Sequence, residues 1–131
     1  MTKMENETFE LIIAEKFADI ISGYKLKVES NSNEWGLDMK LVGSKCGLSF
    51  SYDRGDLRCS FLNPKTKRKY LSNLVYQKFY PKDASYVFSI NDSIEDQLST
   101  YSRMINDRFS GILEGDFSWA EDFEKRYGVH V

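Results

Sequence analysis

Residues 46–61 read Cys46-Gly47-Leu48-Ser49-Phe50-Ser51-Tyr52-Asp53-Arg54-Gly55-Asp56-Leu57-Arg58-Cys59-Ser60-Phe61. Apolar side chains fall on every second residue up to Tyr52 and again from Leu57, the period of a half-buried strand. With Arg54-Gly55 as a two-residue loop, Asp53 stands opposite Asp56. Tyr52 then faces Leu57, Phe50 faces Cys59 and Leu48 faces Phe61, so all the large apolar groups share one face. A slip of one residue sets Arg58 against Tyr52 and scrambles that face. In the favoured register Cys46 pairs near Asn63, several residues from Cys59. Two free, buried thiols are therefore expected rather than a disulfide.

The same period extends upstream. Trp35, Leu37, Met39 and Leu41 alternate with Gly36, Asp38 and Lys40, and Tyr24, Leu26 and Val28 alternate with Lys25, Lys27 and Glu29. Polar turns at Ser30-Asn31-Ser32-Asn33 and Gly43-Ser44-Lys45 separate these runs. The reading is an antiparallel meander of four half-buried strands. The segments on either side of it change period. Phe9, Ile12, Ile13, Phe17, Ile20 and Ile21 recur at helical spacing, so a helix is expected from about Glu7 to Ser22. Asn6 or Thr8 is placed to cap it, and Gly23 to follow its end. Downstream, Ile94, Leu98, Tyr101, Ile105, Phe109, Ile112 and Leu113 form the stripe of a long helix ended by Gly115. Asp92 or Ser93 would cap it, with Glu95 or Asp96 three residues on. Ser118 and Glu121 repeat that spacing ahead of a short last helix with Trp119, Ala120, Phe123 and Tyr127 on one face.

Two segments stay open. Residues 70–79 fit either a short helix or a strand, and Ala84–Ile90 fits a strand or an extended arm; either would add a fifth strand. One apolar sheet face needs cover and the helices supply apolar stripes. The expected fold is an α+β two-layer sandwich, a four-stranded (with the open segments, five-stranded) antiparallel meander packed by the N-terminal and the long C-terminal helix. The length of 131 residues fits one domain, 1–131.

The search for chemistry returns little. The single histidine is His130, which leaves no Ser–His or Cys–His pair to assemble elsewhere. Two cysteines with twelve residues between them have no zinc spacing. No Walker loop and no Gly-rich dinucleotide turn is present, so no catalytic residues, metal or cofactor are expected and the chain does not read as an enzyme. Asp53 and Asp56 read as turn chemistry. A hydrolase working with carboxylates alone would use Asp116, Glu121 and Asp122, but acids at those positions equally suit helix N-termini. No run approaches the roughly 20 apolar residues of a membrane span. The first residues, Met1-Thr2-Lys3-Met4-Glu5-Asn6-Glu7, are acidic and unlike a signal peptide, so a cytoplasmic protein with no membrane partner is expected.

Charge is unevenly spread. Residues 63–82 hold six bases and no acid, whereas residues 91–124 hold nine acids and two arginines. The basic run Lys65, Lys67, Arg68 and Lys69, followed by Tyr70, has the residue types that hold phosphates and stack a base. It is the candidate nucleic-acid surface, set against a chain of net charge −2. The acidic end offers Glu114, Asp116, Glu121 and Asp122 around Phe117 and Trp119. An aromatic rimmed by carboxylates suits a basic protein partner; Trp119 taken alone better suits a plug at the end of the sandwich.

The run Gly111-Ile112-Leu113-Glu114-Gly115-Asp116-Phe117-Ser118-Trp119-Ala120-Glu121-Asp122-Phe123 resembles the end of many small bacterial proteins. Their layout is also similar: an N-terminal helix, an antiparallel meander, then a helix closed by a Gly-Asp-Phe-Ser-Trp-type turn. Several such groups are regarded as immunity proteins of polymorphic or contact-dependent toxin systems. The resemblance implies an inhibitor that covers a toxin's active site or substrate path, with a basic nuclease-type toxin as the fitting partner. It carries no specific binding residues onto this chain, and the run spans 13 of 131 residues.

Overall fold

A computed structural model describes residues 3–30, 37–53, 55–89 and 91–129, with side chains from residue 8 onward. Strands β1 (Lys27–Ser30), β2 (Leu37–Val42), β3 (Gly47–Asp53), β4 (Asp56–Leu62) and β5 (Lys69–Leu71) form one antiparallel sheet in the order β1-β2-β3-β4-β5. The chain is an α+β protein whose meander sheet is packed by helices.

The β3–β4 hairpin adopts the register that its apolar pattern demands. Tyr52 faces Leu57, Phe50 faces Cys59, Leu48 faces Phe61 and Asp53 faces Asp56. Gly55 takes φ +86, a left-handed conformation that a tight hairpin loop requires and that glycine adopts without a Cβ clash. Leu41, Leu48, Phe50 and Phe61 are fully buried. Cys46 and Cys59 are both free and buried, and loss of solvation pushes each thiol up to about 12.

The N-terminal helix is two pieces, α1 (Lys3–Lys16) and α2 (Ala18–Tyr24). The break falls at Phe17, whose ring turns into the core edge-on to Phe50 at 4.8 Å. Helix α1 begins at Lys3, so positions 6 and 8 lie inside it and neither caps it. Nor does Gly23 follow the end. The last turn runs on to Tyr24, which packs against the core, and Lys25 takes the left-handed position instead (φ 54, ψ 49).

Strand β1 departs from its alternating pattern. It starts at Lys27, not Tyr24, and all four of its residues are exposed, Val28 included. Alternation marks a strand; it does not supply a layer to cover the apolar face of an edge strand. Trp35, Gly36, the polar turn at 31–33, Arg54, Ile90 and His130 lie outside the described residues.

Residues 69–79 are strand and then helix. Strand β5 passes directly into α3 (Ser72–Phe79), and the buried Ser72 hydroxyl donates to the Cys59 carbonyl at 2.8 Å. The described part of 84–90 forms no strand, with Tyr86 and Phe88 half-buried and Val87 exposed. The long C-terminal helix is also split, into α4 (Ile94–Arg108) and α5 (Ser110–Leu113). Phe109 interrupts it by turning edge-on to Phe61 at 5.5 Å. Of the possible caps, Ser93 serves: its hydroxyl accepts from the Asp96 N–H at 3.1 Å. Helix α6 (Ala120–Tyr127) closes the chain. Helices α1 and α4 pack against each other and over the sheet's inner face.

Candidate functional site

The acidic segment is built around a turn. Asp116 Oδ1 accepts from the Ser118 N–H at 3.0 Å and from the Ser118 hydroxyl at 2.6 Å. Ser118 is spent on this side-chain turn, so it does not cap α6, whose N-cap Trp119 makes no side-chain cap bond. The two bonds, hydroxyl first, hold the Asp116 carboxyl below the usual carboxylate range, and it stays ionised at neutral pH. The Trp119 indole N–H donates to the Asp116 carbonyl at 2.8 Å.

Trp119 is therefore not an exposed anchor. It is 9% exposed and plugs the sandwich with Tyr70, Phe117 and Phe123 at ring separations of 5.1 to 5.8 Å. Phe117 is half-buried against Tyr70. Glu114, Asp116, Glu121 and Asp122 are exposed, but they do not converge. Glu114 lines a different depression, beside Lys25, Lys45 and Cys46. Glu121 approaches Lys125 at 3.9 Å one helical turn on.

Asp116 lines a depression of about 250 Å³ together with Phe79, Tyr80, Arg108, Ser118 and Trp119. Phe79 and Tyr80 are 42% and 37% exposed. The Phe79 ring stands edge-on to Trp119 at 6.0 Å. Arg108 lies over the Tyr80 ring at 5.8 Å and is itself paired with Asp83 at 3.2 Å. Hydrogen bonds to its carboxylate from the Ser85 hydroxyl and N–H, joined by Arg108, hold Asp83 well below the usual carboxylate range, and the Tyr76 hydroxyl donates to the Asp83 carbonyl at 3.0 Å. The Arg108 charge is thus already matched, whereas Asp116 has no cation among the described ion pairs. From the sequence Tyr80 reads as core or contact surface and Phe79 as part of a helical stripe; nothing there joins either to Asp116. Their place at the end of α3, just before Pro81, sets them where the helix stops and the chain turns away.

The basic run is dispersed by the fold. Arg68 donates to both carboxylate oxygens of Glu124, at 2.9 and 3.0 Å, and the Tyr70 hydroxyl donates to the same group at 2.9 Å. The Tyr70 ring is 2% exposed and unavailable to stack a base. Burial and then Glu124 push its hydroxyl up to about 12. Lys65 and Lys67 remain exposed on a turn closed by the Asn63 N–H on the Arg68 carbonyl. Lys69 faces away from them, onto the outer sheet surface beside Ser49, Ser51, Arg58 and Ser60. Of the phosphate-and-base pattern, two exposed lysines, Lys65 and Lys67, remain on one turn.

Among the described residues, no three His, Cys, Asp or Glu side chains come together in a way that could hold a metal, and no helix is long and apolar enough to cross a membrane. No protein-family model, curated protein or solved structure matches the chain.

Proposed function

We propose that this chain is a non-catalytic binding protein of the immunity type, cytoplasmic and bacterial, that neutralises a basic toxin by covering its active site or substrate path. The observation that carries the reading is the depression holding Phe79, Tyr80 and the ionised Asp116. Exposed aromatic faces attract a guanidinium or ammonium, and a fixed carboxylate beside them adds a charge-assisted partner. Arg108 already occupies one face of Tyr80 in this way. A lysine or arginine of the partner is the group that fits the remaining space. The exposed acids Glu114, Glu121 and Asp122 would speed encounter with a basic surface without each having to enter the contact.

The test is a pull-down with the tagged protein, washed at low and high salt, followed by affinity measurement on whatever basic protein is retained. Asp116→Asn and Tyr80→Ala should each weaken binding about tenfold or more, the loss of one good contact. Charge reversal at Glu121 and Asp122 should slow association and leave dissociation nearly unchanged. Binding that ignores both Asp116→Asn and Tyr80→Ala would sink this site. Recovery of nucleic acid that salt removes, and that is lost when Lys65 and Lys67 are replaced, would favour the nucleic-acid reading instead.

A further inference from the structure

Strand β1 is a sheet edge with every residue exposed, and its pairing with β2 is continuous, without a bulge or proline to blunt it. Beside it Leu11 and Ala14 of α1 join Val28 in lining a groove, with Leu11 70% and Val28 46% exposed. The strand reads Lys27-Val28-Glu29-Ser30. From this the structure assigns the occupant of the edge: we infer that β1 pairs antiparallel with β1 of a second copy, about a two-fold axis through Val28.

The argument is one of self-complementarity. An axis through Val28 sets Val28 against its own copy, Lys27 against the second copy's Glu29, and Glu29 against its Lys27. Opposite charges thus meet twice on one face of the joined sheets, and apolar groups meet on the other. The apolar contact continues sideways, because each Val28 is flanked by its own Leu11 and Ala14. An axis through Glu29 would instead set Glu29 against its own copy and Val28 against Ser30, and lose both ion pairs. Antiparallel strands alternate hydrogen-bonded and non-hydrogen-bonded pairs, so Val28 can sit on the axis whichever way its backbone groups point. A closed two-fold also uses the bare edge up, which stops further strands from adding. The product is a single ten-stranded sheet across two copies. This interface does not involve Asp116, Phe79 or Tyr80, so it stands or falls apart from the toxin-binding reading.

The experiment is sedimentation equilibrium of the whole chain over a concentration series, with circular dichroism to confirm that each variant is folded. The parent should shift from monomer to dimer with concentration. Val28→Asp sets two carboxylates on the axis and should leave a monomer. Lys27→Glu alone and Glu29→Lys alone each make both cross-pairs repulsive and should weaken the dimer about tenfold or more, by the scale on which 1.4 kcal/mol is a factor of ten. The double variant Lys27→Glu with Glu29→Lys restores opposite charges and should restore the dimer. A monomeric parent throughout overturns the inference. So does a dimer indifferent to Val28→Asp, or a double variant as weak as the singles.

Discussion

The two edges of the sheet are treated in opposite ways. Strand β5 is covered: Tyr70 packs inside a cage of Phe117, Trp119 and Phe123, and its hydroxyl is held by Glu124. Strand β1 is bare along all four residues. Both are short, and both sit one strand from a fully buried core. What separates them is distant sequence. The cover for β5 comes from residues 117–124, some fifty positions away, whereas among the described residues nothing comparable lies over β1. An edge is thus a property of the whole chain, and its neighbours in sequence say little about whether it will be available.

The largest effect should come from stripping the covered edge. Phe123 is 1% exposed and touches Tyr70, Trp119 and Tyr127, so Phe123→Ala should cost about 3–5 kcal/mol in urea unfolding. Leu11→Ala, beside the bare edge, should stay within about 0.5 kcal/mol under conditions where the chain is monomeric. Equal costs at the two sites would break the comparison.

Next is the link that fastens the covered edge. Glu124→Gln removes the carboxylate shared by Arg68 and Tyr70 and should cost about 1–2 kcal/mol, the lower part of the range for hydrogen bonds to a charged group, because Arg68 is half-exposed.

Alkali should destabilise the chain as a whole. Tyr70, Tyr76, Cys46 and Cys59 are each pushed up to about 12 in the folded chain, chiefly by burial. The unfolded chain gives up those protons first, from its ordinary thiol and phenol values near 9 and 10. Stability should therefore be flat through neutral pH and fall as pH rises above about 9. Iodoacetamide should leave both thiols untouched in the native state and label both in denaturant, a contrast that mass spectrometry reads directly.

The smallest effect belongs to the entry into β1. Lys25 holds a left-handed conformation that an L side chain disfavours. Lys25→Gly should raise stability by about 0.5–1 kcal/mol, and a loss would mean that the lysine side chain contributes more than its backbone costs.

Much of this was readable beforehand where neighbours in sequence decide the outcome. The β3–β4 register followed from the alternation around Arg54-Gly55, and Ser93 was already one of two candidate caps. The breaks at Phe17 and Phe109 were not readable. Each residue fits a helical stripe, and each leaves the helix because a core aromatic, Phe50 or Phe61, offers its ring a better contact. The spacing rule makes Ser118 a cap because it ignores Asp116 two residues earlier, which takes both of its donors. Asp116 and Tyr80 are each legible as candidate contact residues; that Phe79 and Tyr80 stand beside Asp116 is not, since they meet it only through tertiary packing. In sequence the basic run and the acidic end are rival surfaces, and Arg68 on Glu124 joins them across 56 positions.

The cover on β5 also sets a clock. Leu71 is synthesised 52 residues before Phe123. At about 5–20 residues per second, the strand spends roughly 3–10 seconds in a growing chain before the rings that will shield it exist. During that interval the molecule has two open edges instead of one, and holding the nascent chain against sticking to its neighbours falls to the ribosome's surroundings.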